Sequence, residues 1–342
     1  MTMMDKKLKW GILGTAHIAT EQVIPAMLNC LHGDVHAIGS RNLDKAQDIS
    51  KRFKIPKFYG SYEELLADKE INAVYIPLPN HLHVAWAIKA LEADKHVLVE
   101  KPVGLSSKEA EKLLMASQNY PHLKVMEAFM YRHHPQWIKA KELVDQKIIG
   151  EVKTIQSSFS FYEDDPNSIV NKKDFGGGSL MDIGCYPISL SRYIFNSEPK
   201  SISAVIDYHP DFKVDILASG ILEFETGTSV FFSATQLAYN QQAQIFGTKG
   251  NIKFEVPFNP PIDRPAKIWL TIDEECQTFE FDICNQYTIQ ADLFALAIQN
   301  NTPVPTPLED AVKNMLVIFI KGTTFTTVNI WLSLFLLFHE FL

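Results

Sequence analysis

The sequence predicts an α/β protein in which a doubly wound parallel sheet precedes an α+β unit with a large, open, mainly antiparallel sheet. Three observations predict it. Between residues 8 and 129, short apolar runs alternate with stretches of helical periodicity. The first apolar run ends on Gly14, followed by small residues at Ala16 and Ala19, which suits a tight strand-to-helix turn. Beyond residue 150 the apolar runs follow one another with connections too short for helical crossovers, which requires antiparallel pairing.

The elements follow in order. Residues 8–13 read as a strand, and residues 18–28 repeat apolar side chains at helical spacing. The pattern recurs as a strand at 35–39 with a helix to 53, a strand at 73–78 with a helix to 93, and a strand at 96–99 with a helix to 117. A last strand at 124–129 closes the first domain. Strands that alternate with helices of roughly ten to fifteen residues imply right-handed crossovers and a parallel sheet. A helix at 135–148 opens the second part, with strands at 152–162, 202–208, 217–225 and 228–235 interrupted by a helix at 179–195. Helices at 287–300 and, after Pro303, Pro305 and Pro307, at 308–320 end the fold. A chain of 342 residues exceeds what one hydrophobic core usually supports, so two domains are expected, 1–126 and 127–320. Residues 321–342 stand apart. Threonines cluster at 323–327, and 330–342 is apolar except for Ser333, His339 and Glu340, yet shorter than the roughly 20 residues of a membrane span. A buried or partner-facing helix and an altered terminus are both open readings of this tail.

Composition narrows the function. A hydrophobic fraction of 46% and a charged fraction of 21% are ordinary for a globular chain and argue against disorder. With 32 Lys and Arg against 40 Asp and Glu, the net charge is −8 and no basic stripe is present, so nucleic acid is not an expected partner. Cys30, Cys185, Cys276 and Cys284 form no CxxC pair and no disulfide framework, and the first ten residues lack the apolar core of a secretory signal. A cytoplasmic protein without membrane attachment is expected. His81, His83, His133 and His134 match no zinc spacing, so no metal is expected.

The turn Gly14-Thr15-Ala16-His17-Ile18-Ala19 reads G-x-A-x-x-A, a relaxed form of the dinucleotide fingerprint G-x-G-x-x-G. Small residues there let a pyrophosphate approach the backbone and the N-terminus of the following helix. Taken alone the motif is weak, since strand-to-helix turns also carry Gly and Ala for packing. Its position within repeated strand-helix units points to a Rossmann-type cofactor domain. An NAD site ordinarily ends its second strand with an acid that holds the ribose 2′-hydroxyl, but this chain has Gly39-Ser40-Arg41. A hydroxyl and a guanidinium suit a 2′-phosphate, which points to NADP with NAD use left open. The plain alternative makes Arg41 a solvated residue ahead of a helix.

Three further clusters are candidates for chemistry. Glu100-Lys101-Pro102 stands at the carboxyl end of a strand, where ligands bind in open parallel sheets; the lysine could hold a hydroxyl, and whether Pro102 is cis is open. Pro77, Asn80 and His83 follow another strand and could line a nicotinamide pocket, although Asn80 also suits a helix N-cap. Gly176-Gly177-Gly178-Ser179 leaves the backbone bare and mobile and opens a helix with Asp182 and Tyr186 four residues apart on one face. A carboxylate and a phenol so placed could orient a substrate hydroxyl and exchange its proton. A phenol titrates near about 10 and needs help to act at neutral pH, and Lys101 is the candidate helper. The structural alternatives are a capping Asp182 and a packed Tyr186.

Taken together, G-I-L-G-T-A-H-I-A, S-R, E-K-P, E-A-F-M-Y-R and G-G-G-S-L-M-D-I-G-C-Y-P resemble the Gfo/Idh/MocA oxidoreductase family in order and spacing over residues 7–318. The resemblance implies a Rossmann domain, then an α/β domain whose open sheet often mediates dimerisation. It also implies a catalytic group of Lys101, Asp182 and Tyr186. Many members carry His at the last position, so Tyr186 points to the branch that looks like dimeric dihydrodiol dehydrogenase, NADP-dependent D-xylose dehydrogenase and glucose-fructose oxidoreductase. Residues 127–132 with His134-Pro135 are similar to the same branch, which implies that Arg132 contacts substrate or cofactor. Departures are Ala16 and Ala19 in place of glycines and the tail beyond residue 320. The expected cofactor contacts are Gly14, Thr15, Ala16, His17, Ile18, Ser40, Arg41, Pro77, Asn80, His83, Glu100, Lys101 and Arg132. The expected activity is NADP-dependent hydride transfer at a carbinol or carbonyl carbon of a sugar, cyclic polyol or trans-dihydrodiol, in a homodimer or higher homo-oligomer. A catalytically silent NADP-binding regulator is the alternative from another class.

Overall fold

The computed structural model describes residues 7–319 and 328–329. The first sheet comprises β1 (Leu8–Leu13), β2 (Gly33–Gly39), β3 (Lys57–Tyr59), β4 (Ala73–Ile76), β5 (His96–Glu100) and β6 (Val125–Ala128). All its pairings are parallel, in the order β3-β2-β1-β4-β5-β6. The strand order reverses between β1 and β4, which opens a crevice at their carboxyl ends. β4 is buried at every position, as expected of a strand covered by helices on both faces.

A π-helical turn, Ala19–Val23, leads into α1 (Ile24–Met27), and α2 (Leu43–Phe53), α3 (Tyr62–Ala67), α4 (Asn80–Glu92) and α5 (Ser107–Gln118) make the other crossovers. Their starts follow local chemistry. Asn42, Ser61 and Ser106 each accept the N–H three residues on and so cap α2, α3 and α5. The N-cap of α4 is Pro79, without a side-chain bond, so Asn80 is the first helical residue and not the cap.

The chain packs into two units. One runs through His133 and includes Asn285–Met315; the other comprises His134–Cys284 and the chain from Leu316. A single boundary at 126/127 therefore does not describe the division. α8 (Gln286–Gln299) returns to the first unit, where Phe294 meets Trp10 at 5.6 Å between ring centroids and the Asp292 carboxylate accepts the N–H groups of Leu31 and His32. Periodicity shows that a helix has an apolar face but not which core covers it. α9 (Leu308–Phe319) is tied to the same unit at its start by the Asp310–Arg132 ion pair at 2.8 Å.

The second unit contains α6 (Pro135–Asp145), β7 (Val152–Tyr162), a π-helical turn at Leu180–Gly184 that runs into α7 (Cys185–Phe195), β8 (Ser201–Tyr208), β9 (Asp215–Glu223), β10 (Thr228–Ala234), β11 (Gln236–Gly247), β12 (Gly250–Phe254), β13 (Ala266–Ile272) and β14 (Glu275–Phe281). Its sheet runs β14-β13-β12-β11-β7-β10-β9-β8-β15, where β15 is Val328–Asn329, antiparallel to β8. Within this sheet, among the described strands, only β7 and β10 pair in parallel. α7 covers one face through residues buried from Cys185 to Arg192, and Trp137 of α6 stacks on Phe254 at 3.8 Å. The other face is open, with Val205, Ile221 and Val230 exposed on it. The rest of the expected tail, 321–342, lies outside the described residues. Among the described residues no helix is long and apolar enough to cross a membrane.

Candidate functional site

In the first unit the expected cofactor turn stands at the crevice. Gly14 adopts φ +115° and donates its N–H to Gly39 O at 2.8 Å. A Cβ there would meet Leu78 Cδ2 at 3.0 Å and strain the backbone, so only glycine fits this bend. Thr15, Ala16 and Ile18 are half-buried and His17 is exposed at the start of the helix, whose first N–H groups have no intrahelical partner by geometry. These features fit a pyrophosphate.

The end of β2 carries the groups expected at the ribose. Ser40 is buried, donates its N–H to Tyr59 O and accepts the Asn42 N–H on its hydroxyl. Arg41 is exposed, and its positive charge acts on the phenol of Tyr62. Burial pushes the Tyr62 phenol up and Arg41 pulls it back. That hydroxyl lies 3.7 Å from where a Cβ on Gly14 would stand, so arginine, phenol and phosphate turn are neighbours. Nothing local in the sequence marks Tyr62, a tyrosine on a short helix, as facing a turn about fifty residues earlier.

The ends of β4 and β5 are fastened together. Pro77 is buried and Asn80 half-buried. His83 is fully buried, with Nδ1 2.8 Å from Pro102 O and Nε2 2.5 Å from Leu78 O. Burial pulls its pKa down to about 4, so the neutral ring donates to one of the two carbonyls. Enclosed in this way, His83 fits a strut between two strand ends better than a direct ligand of nicotinamide. Glu100, 8% exposed, accepts the Tyr75 hydroxyl on Oε1 at 2.6 Å and the Lys101 N–H on Oε2 at 3.2 Å. Lys101 is half-buried, and its bond to Pro102 is cis. Arg132 is ion-paired with Asp310 and lies 5.7 Å from the Phe129 ring centroid.

In the second unit, Asp182 lies within the π-helical turn and Tyr186 in the first turn of α7. Tyr186 is 5% exposed, its ring tilted against Phe159 and Phe258 with centroids at 5.7 and 5.4 Å. Asp182 does not cap the helix. That part is taken by Asp215 of β9, whose Oδ2 accepts the Leu180 N–H at 2.7 Å and the Ser179 hydroxyl at 2.8 Å. Burial pushes the Asp215 carboxyl up, against the pull of those bonds. The glycines before the helix are packed and not bare: Gly178 has φ +113°, and a Cβ on it would stand 2.1 Å from Asp215 Oδ1. Asp215 lies thirty-odd residues downstream, two residues ahead of the strand expected at 217–225, and only the fold brings it to the helix start.

Comparison with known proteins now bears on this arrangement. Residues 8–128 match the model of the oxidoreductase family with an NAD-binding Rossmann fold, and residues 137–253 match the GFO/IDH/MocA C-terminal domain. The chain belongs to the Gfo/Idh/MocA oxidoreductase family. Among its relatives are an uncharacterized oxidoreductase of Rhizobium meliloti, 44% identical over 91% of this chain and 95% of its own, and an NADP-dependent D-xylose 1-dehydrogenase of Haloferax volcanii, 36% identical over 90% and 94%. A solved structure of KijD10, a 3-ketoreductase from Actinomadura kijaniata with NADP and TDP-benzene, superposes with a TM-score of 0.84 at 28% identity, covering 92% of this chain and 96% of that one. As a Gfo/Idh/MocA member the chain is a dehydrogenase or reductase built on a nicotinamide-dinucleotide fold. Within its first unit the structure brings together Gly14, Ser40 and Arg41, and separately His83, Glu100 and Lys101. Within its second, Asp182 and Tyr186 stand on either side of the junction between the π-helical turn and α7.

Proposed function

We propose that this Gfo/Idh/MocA oxidoreductase uses NADP and interconverts a CH–OH group and a carbonyl on a sugar, cyclic polyol or trans-dihydrodiol. The observation that carries the cofactor reading is Arg41 at the end of β2, beside the Tyr62 hydroxyl and the Gly14 bend, where an NAD enzyme would place an acid. The NADP-dependent D-xylose dehydrogenase and the NADP-bound 3-ketoreductase among its relatives support the same choice.

Residues Gly14, Thr15, Ala16, His17 and Ile18 hold the pyrophosphate, Ser40 and Arg41 the 2′-phosphate, and Pro77, Asn80 and Lys101 the nicotinamide end. Glu100, His83 and Arg132 shape these parts from behind, since each is already bonded within its own unit. Bound NADP supplies the hydride acceptor in one direction and the donor in the other. Tyr186 takes the substrate hydroxyl proton as the carbinol C–H is lost and returns it in reduction. Lys101 holds the reacting oxygen by its charge. Asp182 accepts a neighbouring substrate hydroxyl and so orients the sugar. The open sheet face, with Val205, Ile221 and Val230 exposed, joins copies of the chain into a homo-oligomer.

The test is NADP+ reduction followed by absorbance with D-xylose, other aldoses, inositols and a trans-dihydrodiol. Tyr186→Phe is expected to depress turnover by about 10²–10⁴-fold while NADPH affinity stays within threefold. Equal loss of both would make Tyr186 a packing residue, and NADPH binding without turnover of any of these compounds would favour a regulatory protein.

A further inference from the structure

The three backbone positions that follow Glu100 are gripped in succession by buried side chains from three different elements. The Lys101 N–H bonds Glu100 Oε2 of β5 at 3.2 Å. Pro102 O faces His83 Nδ1 of α4 at 2.8 Å. The Val103 N–H bonds Glu127 Oε1 of β6 at 2.8 Å. The gripping groups are themselves fixed. Glu100 also accepts the Tyr75 hydroxyl from β4, His83 is fully enclosed with its other nitrogen at Leu78 O, and Glu127 is 1% exposed with its carbonyl bonded by Thr306 at 2.7 Å. A loop that served only to connect β5 to α5 would be held by water and solvent-facing turns. Placing two carboxylates and an imidazole below 9% exposure to hold one three-residue stretch is costly unless the stretch must keep one conformation.

We propose that His83 and Glu127 are positioning residues for Lys101: they fix the backbone on either side of it, and so the point from which its side chain reaches the reacting oxygen. The inference rests on the reading of Lys101 as the residue that holds that oxygen. Each grip acts through a main-chain atom, so neither His83 nor Glu127 needs to touch substrate. Displacement of a reacting group by about 1 Å can lower turnover by about 10²-fold without weakening binding. A loosened loop is therefore expected to act on kcat and leave KM for NADP+ nearly unchanged.

The test combines exchange with kinetics on the full chain. In Glu127→Ala, amide hydrogen exchange at Val103 is expected to rise at least tenfold, whereas Glu127→Gln, whose amide oxygen still accepts that N–H, keeps the protection. With D-xylose and NADP+ as the probe reaction, Glu127→Ala and His83→Gln are expected to lower kcat by about 10–100-fold, with KM for NADP+ within threefold and with Glu127→Gln near wild type. In a Lys101→Ala background both losses should largely vanish, because residues that act through one group are not additive. Losses that add in full to that of Lys101→Ala, or a parallel fall in NADP+ affinity, would overturn the proposal and leave a merely structural role. Unchanged Val103 exchange in Glu127→Ala would overturn it even if D-xylose were not turned over. A Lys101→Ala variant with wild-type kcat would refute the catalytic reading itself, a result recognisably different from additivity.

Discussion

Removing the Asp215 carboxylate tests how the helix that carries Asp182 and Tyr186 is anchored. Its Oδ2 holds the Leu180 N–H at 2.7 Å and the Ser179 hydroxyl at 2.8 Å, both in the first turn. A hydrogen bond to a charged acceptor contributes about 1.5–3 kcal/mol, and an N-terminal cap alone about 1 kcal/mol. Part of that is offset by the desolvation that pushes the Asp215 carboxyl up. Asp215→Ala is therefore expected to destabilise the protein by about 2–3 kcal/mol, and Asp215→Asn, which keeps a carbonyl oxygen for the Leu180 N–H, by about 1 kcal/mol. Urea unfolding at neutral pH, followed by tryptophan fluorescence, measures both. Turnover at a temperature where each variant is folded should fall more for alanine than for asparagine, because the helix start sets where Asp182 stands. Midpoints that coincide for the two variants, or an alanine variant as stable as wild type, would refute the capping argument.

Two further outcomes follow from the geometry. Arg41→Ala should weaken NADPH by about 10–100-fold, the equivalent of one lost charge-assisted bond, and leave NADH nearly unchanged. Titration of both cofactors by fluorescence checks this, and an unaltered preference would remove the 2′-phosphate assignment. His83, His96, His133 and His134 are each pulled by burial from 6.5 to about 4. The unfolded chain thus binds protons that the folded chain refuses, so their contribution to stability is whole above about pH 6.5 and is lost as pH falls towards 4. Urea midpoints should decline across that window, and a flat profile would show that these rings are not held neutral by the fold.

Much of the first unit was legible because its signals are local. β1 and, in the second unit, β7 occupy the spans that apolar periodicity assigns, and α9 begins at Leu308, directly after the run of prolines. β3 and α3 escaped notice: a three-residue strand of partly exposed Lys57, Phe58 and Tyr59 carries too little period to register. The mostly antiparallel second sheet was legible from short connections, but the parallel pairing of β7 with β10 was not, since nothing in either strand names its neighbour. The same limit explains Gly176 to Gly178. Three glycines suggest freedom, whereas here Gly177 admits the close approach of the Val170 carbonyl and Gly178 that of Asp215.

The sequence by itself determined the class of fold, the glycine turn, the absence of an acid after β2 and the identity of the residues offered for catalysis. These are properties of neighbouring residues, and the chemistry of a turn, a strand end or a helix face is written within a few positions. Only the tertiary structure decided that α8 belongs to the first unit, that Tyr62 stands beside Arg41, that Asp215 caps the helix of Asp182 and Tyr186, and that His83 and Glu127 hold the loop of Lys101. Each joins residues that are about 20 to 280 positions apart. Which buried acceptor meets which donor depends on how apolar faces stack, and no pattern along the chain specifies that.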